Sequence, residues 1–229
     1  MKLLIVGYGK MGRLIEQMAV EQGHEVTGHV DIDSAGSDAG SDSAWARPAD
    51  VAIDFSTADG LKENFPRYLA RTLPVVLGTT GWDADRDAYR ADAERAGIGV
   101  VASANFSIGV NLFELIVAEA ARLMQPQPQF GAWIHESHHA AKRDAPSGTA
   151  LLLRDAMTRA GYRSPIDISS TRAGAIPGIH TIGFDAASDT IELTHTARDR
   201  RGFAAGAIVA AQFVRERRGW FTMADVLRG

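Results

Sequence analysis

The sequence predicts an α/β fold, a doubly wound parallel sheet followed by a second α+β domain whose sheet is mostly antiparallel. Three observations carry this expectation. Short apolar runs alternate with helical segments through roughly the first hundred residues. A glycine turn, Gly7 to Gly12, joins the first apolar run to the first helical one. After Asn105 the texture changes to a long amphipathic helix, a proline break and a series of strand-like runs.

The elements follow in order. Lys2 to Val6 is a short apolar strand, and Leu14, Ile15, Met18 and Ala19 then recur at helical spacing up to Gly23. His24 to Val30, ending in Asp31, completes a βαβ unit whose right-handed crossover makes the two strands parallel. Asp33 to Ser43, rich in Asp, Ser and Gly, reads as a surface loop. Val51 to Phe55, Val75 to Leu77 and Ile98 to Ala102 are further strands between helical segments rich in Ala, Arg and Asp. A long helix from about Val110 to Met124 stops at Pro126 and Pro128. Strands are then expected at Phe130 to His135, Ile166 to Arg172, His180 to Asp185 and Thr190 to Ala197, with a helix from Ser147 to Ala160 closed by Gly161. Phe203 to Val214 and Phe221 to Leu227 read as helical, contribute no strand, and return to pack on the first domain. The expected division is 1–106, 107–201 and a returning segment 202–229.

The composition narrows the chemistry. At 229 residues with 45% hydrophobic side chains the chain can bury a full core without staples. With no cysteine there is no disulfide, thiolate zinc site, iron–sulfur cluster or cysteine nucleophile. The 24 cationic and 28 anionic side chains give a net charge of −4, which attracts neither nucleic acid nor an anionic membrane, so neither is an expected partner. A small acidic metabolite therefore needs a local basic pocket. The longest near-apolar stretch, Phe203 to Val214, contains Gln212 and is too short for a membrane span, so a cytoplasmic protein is expected.

Gly7-Tyr8-Gly9-Lys10-Met11-Gly12 fits G-x-G-x-x-G, in which glycines allow the tight turn and the close approach of a pyrophosphate to a helix N-terminus. It follows a strand, opens a helix and has Asp31 19 positions beyond Gly12, the full context of a Rossmann-type dinucleotide site. Asp31 can accept from an adenosine ribose and repels a 2′-phosphate, and Ile32 offers that phosphate no cation. NADH is therefore expected to be preferred, with NADPH possible through Lys10 or an arginine from elsewhere. A ligand-free glycine turn, and a turn-capping role for Asp31 or Asp33, are the alternatives. Gly78-Thr79-Thr80-Gly81 and Ser103-Ala104-Asn105-Phe106 each follow a strand, at the carboxyl edge where such folds bind ligands. They are either cofactor contacts or ordinary turns.

The densest polar segment runs from Glu136 to Ala150. His138 and His139 are adjacent, so in a strand they point to opposite faces, which argues against a metal site. Pro146 suits the first turn of a helix whose Ser147, Gly148 and Thr149 offer amides and hydroxyls to an anion. With Lys142 and His139 this becomes a carboxylate receptor, leaving His138 as the natural proton donor near neutral pH. The alternative is a polar helix cap with solvated histidines.

Glu136-Ser137-His138-His139, with Lys142 and then Asp144-Ala145-Pro146-Ser147-Gly148-Thr149-Ala150, resembles the signature of the dihydrodipicolinate reductase family of lysine and diaminopimelate biosynthesis. The resemblance extends over Gly7 to Gly12, Gly78 to Gly81, Ser103 to Ser107, Arg172-Ala173-Gly174 with Gly178 and His180, His195, Arg200 with Phe203-Ala204, and Met223 to Leu227. It implies that His138 donates a proton, that Lys142 is its catalytic partner, and that His139, Gly148 and Thr149 hold the substrate. It also implies hydride transfer from a nicotinamide to carbon 4 of a cyclic, unsaturated dicarboxylate, with a proton delivered to the neighbouring carbon. Two hinged domains and a homotetramer built through the second-domain sheet are part of the same expectation. Two departures stand out: the glycine loop is one residue shorter than in many relatives, and the stretch from Ala160 to Arg172 is short. A dehydrogenase of related fold acting on another amino-acid or imine substrate is the competing enzyme reading, and a non-catalytic NAD sensor leaves His138 and Lys142 unexplained.

Overall fold

The computed structural model describes residues 1–31 and 42–229, so most of the stretch read as a loop, and Ile32 with it, lies outside the described residues. They form two compact units, residues 1–108 with 201–229, and residues 109–200.

The first unit is built on β1 (Lys2–Val6), β2 (Glu25–Val30), β3 (Val51–Asp54), β4 (Val75–Leu77), β5 (Gly99–Ala102) and β10 (Gly219–Phe221), in the order β10-β5-β4-β3-β1-β2. Every pairing is parallel. Helices α1 (Lys10–Glu21), α2 (Asp42–Ala46), α3 (Ala58–Ala70), α4 (Arg86–Ala96), α7 (Arg201–Val214) and α8 (Met223–Arg228) complete it. Period-two alternation divides each strand between two cores. Leu3, Ile5, Val51 and Ile53 pack with Ile15 and Met18 of α1 and Ile208 and Ala211 of α7. Leu4, Val6 and Ala52 pack with Leu61, Phe65 and Tyr68 of α3 on the other face. That two-sided burial explains why these strands read as unbroken apolar runs.

The end of the chain corrects one expectation. Gly219–Phe221 forms an edge strand, parallel to β5 through Trp220 opposite Val100. Three residues carry no readable periodicity, and only the β5 ladder makes them a strand. α2 likewise begins at Asp42, inside the segment read as a loop. α7 lies so close to the turn after β5 that a Cβ on Gly206 would stand 1.7 Å from the Phe106 carbonyl oxygen, which only glycine avoids.

The second unit carries β6 (Gly131–His138), β7 (Ile166–Arg172), β8 (Ile179–Asp185) and β9 (Thr190–Thr196), ordered β7-β6-β8-β9. β6 pairs parallel with β7, while β6 with β8 and β8 with β9 are antiparallel. α5 (Ile108–Met124) and α6 (Gly148–Arg159) cover one face, packing Phe113, Val117, Leu153 and Met157 against Ala132, Ile134, Ile182 and Phe184. β6 runs three residues beyond the expected His135, because Glu136 and Ser137 find partners on both sides and His138 on one: His138 lies opposite Arg172 and Glu136 opposite His180. Among the described residues no helix is long and apolar enough to cross a membrane.

Candidate active site

At the first unit's carboxyl edge the strand order reverses between β1 and β3, the place where open parallel sheets bind ligands. The three loop glycines have different reasons for being glycine. Gly7 has φ +83°, and a Cβ there would lie 2.4 Å from the Phe55 carbonyl oxygen. A Cβ on Gly12 would lie 2.3 Å from the Gly7 carbonyl oxygen, so α1 starts hard against the loop. A Cβ on Gly9 would meet nothing within 4 Å, and Gly9 caps α1 with no side-chain hydrogen bond to the first-turn amides. Open space in front of uncapped helix amides fits a pyrophosphate. Lys10 is exposed and Met11 half-buried beside it. The Tyr8 ring lies 4.0 Å from that of His29 with the Arg13 guanidinium 4.5 Å above it, and its hydroxyl donates to Glu16, which pushes the phenol's pKa up.

A cavity of about 240 Å³ adjoins the loop, lined by Gly7, Asp31, Trp45, Ser56, Thr57 and Arg67 among others. Asp31 is thus placed on the same cavity as the first loop glycine. The other two edge segments divide. Asp54 is fully buried at the end of β3 and accepts from the hydroxyls of Ser56 (2.6 Å), Tyr68 (2.7 Å) and Thr79 (2.9 Å). Thr79 is therefore turned inward, while Thr80 is exposed and Gly78 packs against the Phe55 ring. Ser103 turns its hydroxyl onto the Asn105 carbonyl at 2.8 Å, Ala104 is exposed, and Phe106 is core, 1% exposed and packed on Phe55. Phe106 and the Thr79 hydroxyl thus serve the core and the turn.

In the second unit, strand alternation separates the histidines. His135 faces away from α5 and α6, between the hydroxyls of Ser169 (2.8 Å) and Ser137 (3.1 Å). Glu136 and His138 share the other side, and the Glu136 carboxylate is fully buried. Its Oε1 accepts from Arg172 Nη2 (2.6 Å) and the Ser147 amide (3.2 Å). Its Oε2 accepts from Arg172 Nη1 (2.9 Å) and is bonded to His138 Nδ1. Arg172 Nη2 also donates to the Asp144 carbonyl at 2.6 Å, fixing the loop that carries Lys142. Lys142 Nζ holds both Asp144 carboxylate oxygens, at 2.8 and 2.9 Å, and lowers the Asp144 pKa.

Ser147, not Pro146, opens α6. It is the N-cap, its hydroxyl accepting from the Ala150 amide and bonded to His180 Nε2 at 3.1 Å, and its amide is taken by Glu136. Ser147 is 1% exposed, so its polar atoms are committed to the structure. Gly148 is exposed, a Cβ there would meet nothing within 4 Å, and its amide donates to Asp144 Oδ2 at 3.4 Å, which leaves the amide of the half-buried Thr149 open at this helix end. His139 is half-buried just beyond the end of β6.

Residue type along the segment assigns no role to Glu136, Arg172 or His180. The period-two pairing of Glu136 with His138 was the available signal for the first; the other two come from strands more than 30 residues away. Glu136, His138 and His180 place ligand-type atoms within 4.8 Å of one another. Arg172 already covers both Glu136 oxygens, so a guanidinium serves as that carboxylate's counter-ion and the cluster works as a hydrogen-bond network. Burial raises the Glu136 pKa, but hydrogen bonds from Arg172, Ser170 and His138 and the charge of Arg172 outweigh it and hold the pKa at about 2. Burial, helped by the charge of His138, brings His180 down to about 4.

A glycine loop at a parallel sheet's switch point is the arrangement of a nicotinamide-dependent oxidoreductase, and the second unit by itself gathers a histidine, a lysine and a helix start. Residues 1–106 match the N-terminal part, and 109–227 the C-terminal part, of dihydrodipicolinate reductase. The chain is 34% identical to the 4-hydroxy-tetrahydrodipicolinate reductase of Christiangramia forsetii, across 99% of this chain and 98% of that one. It is 35% identical to that of Archaeoglobus fulgidus, across 96% of both. The chain belongs to the dihydrodipicolinate reductase family. A dipicolinate-bound dihydrodipicolinate reductase from Paenisporosarcina shares the fold with a TM-score of 0.78 at 23% identity, covering 96% of this chain and 97% of that one. A DAP dehydrogenase of C. glutamicum shares it at 0.57 and 14% identity, covering 97% of this chain and 93% of that one.

The two buried groups predict an acid limb for stability. An unfolded His180 takes up its proton near the ordinary imidazole value of 6.5 and the folded one near 4, so stability falls as pH drops from 6.5 to 4. Unfolded Glu136 protonates near 4.5 and the folded one near 2, so a second loss runs from pH 4.5 to 2. Each is worth on the order of 3 kcal/mol at about 1.4 kcal/mol per pKa unit. Urea midpoints measured across this range should show both losses. His180→Gln should flatten the upper one and leave the lower; an unchanged upper slope would show that His180 is not its source.

Proposed function

We propose that this chain is a 4-hydroxy-tetrahydrodipicolinate reductase, reducing the cyclic dicarboxylate imine to tetrahydrodipicolinate in the diaminopimelate route to lysine. The observation that carries this reading is the joint placement of His138, the Lys142 loop and the start of α6 around one buried carboxylate. When bound, the nicotinamide cofactor supplies a hydride to ring carbon 4. Gly7, Gly9 and Gly12, with the first amides of α1, hold its pyrophosphate, and Asp31 holds its adenosine ribose.

The second unit's residues do the rest. Lys142, His139 and the Gly148 and Thr149 amides hold the substrate carboxylates. Lys142 and the Gly148 amide exchange their shared Asp144 partner for one of them. His138 Nδ1 is committed to Glu136 and Nε2 has no hydrogen-bond partner among the described residues, so Nε2 is the atom that delivers the proton to the carbon beside carbon 4. A positioned acid there matches the negative charge that arrives with the hydride.

NADH is the preferred cofactor in this reading, with NADPH also used, since Asp31 repels a 2′-phosphate while Arg67 lines the same cavity. The sheet face opposite α5 and α6, which carries Trp133, His135 and Thr181, is the surface through which a homotetramer would form. The enzyme would act in the cytoplasm.

The test is the oxidation of reduced nicotinamide, followed at 340 nm, with substrate made enzymatically from pyruvate and aspartate semialdehyde. Turnover that depends on that substrate is expected; a folded, cofactor-binding sample without it would reject the function. His138→Gln should lower kcat by roughly 10² to 10⁴-fold with little change in KM. Lys142→Ala should lower kcat and raise KM, and both variants should keep their affinity for NADH. A His138→Gln enzyme keeping more than about a tenth of wild-type kcat would refute the proton-donor role. Asp31→Ser should move the kcat/KM ratio toward NADPH by about 1 to 2 kcal/mol, and a ratio left untouched would show that Asp31 does not set it.

A further inference from the structure

We propose that Glu136 is the positioning residue that makes His138 a directional proton donor, an inference that rests on the function proposed above. The argument begins with how completely the carboxylate is fixed by other groups. Arg172 grips both oxygens, at 2.9 and 2.6 Å, and itself donates to the Thr171 and Asp144 carbonyls at 2.8 and 2.6 Å. The Ser147 amide adds a further donor to Oε1. Glu136 therefore cannot rotate to suit His138, and as an ionised carboxylate it has only acceptors to offer. The bond to Nδ1 then requires a proton on Nδ1.

That requirement sets the direction of the chemistry. With Nδ1 protonated in both charge states, the proton that leaves the imidazolium is the one on Nε2, and the ring left behind is the neutral Nδ1–H tautomer. Recharging takes a proton at Nε2 again, so the ring cycles without turning. The surroundings agree with a fixed ring. A Cβ on Gly178, which has φ +137°, would lie 3.2 Å from Nε2, so glycine keeps that nitrogen uncrowded. The His180 ring stands edge-on at 5.1 Å, bonded to the Ser147 hydroxyl. One ion pair thus fixes the histidine's tautomer, the start of α6 and the Lys142 loop together.

Steady-state kinetics and histidine-ring nitrogen NMR of the full chain test this, the latter recorded where the ring is neutral. Wild-type His138 should show a protonated Nδ1 and a bare Nε2; the opposite tautomer overturns the proposal without any variant. Glu136→Gln, whose amide can donate as well as accept, should give mixed tautomers and lower kcat by at least tenfold, with KM and NADH affinity kept. Glu136→Asp should recover part of that kcat. A Glu136→Gln protein with wild-type kcat, or with reduced kcat but an unchanged tautomer, would assign Glu136 a purely structural role. If wild type shows no turnover while the tautomer still depends on Glu136, the positioning stands and the proposed function falls.

Discussion

The second unit's chemistry depends on one buried ion pair, Glu136 with Arg172. A carboxylate with no exposure is costly unless its lone pairs are filled, and here guanidinium, helix-start amide and histidine donors fill them. The donors come from different elements of the second unit. His138 ends β6, Arg172 ends β7, and Ser147 opens α6. Satisfying one buried charge therefore assembles His138, the Lys142 loop and the amide end of a helix in fixed relation. Removing either member of the pair strands the other, which makes the arrangement costly to lose.

Asp54 plays a related role in the first unit. Fully buried at the end of β3, it gathers the Ser56, Tyr68 and Thr79 hydroxyls and so shapes the turns after β3 and β4. With those turns tied down, the glycine loop and the Asp31 cavity lie along an edge of fixed shape. The two kinds of polar residue at such an edge, those facing a ligand and those building the turn, are the same types in sequence. Geometry alone divides them.

That division marks what the sequence could and could not disclose. The strands of the parallel sheet were legible because burial on both faces makes them uninterrupted apolar runs bounded by turns, and β4 has the expected ends. The edge strand Gly219–Phe221 was hidden, since its strand character comes from pairing with β5 rather than from its own pattern. Within the candidate site, the glycine loop, His138, Lys142 and Gly148 stood out by residue type and by resemblance to one family. Ser147 and Thr79 stood out for the same reason, yet their hydroxyls are spent on a helix cap and on Asp54. Glu136 sat in plain view without a role, because what gives it one is Arg172 from a strand 36 residues later.

The central claim is that the two hydrogens added to the ring come from different places, a hydride from the cofactor and a proton through His138. Isotope tracing reads this directly, with reduced nicotinamide carrying deuterium at its transferable position in ordinary water, and unlabelled cofactor in heavy water. The account predicts cofactor-derived deuterium at ring carbon 4 alone in the first experiment and solvent deuterium at the neighbouring carbon in the second. A product with no cofactor-derived deuterium, or with solvent deuterium at carbon 4, would contradict it.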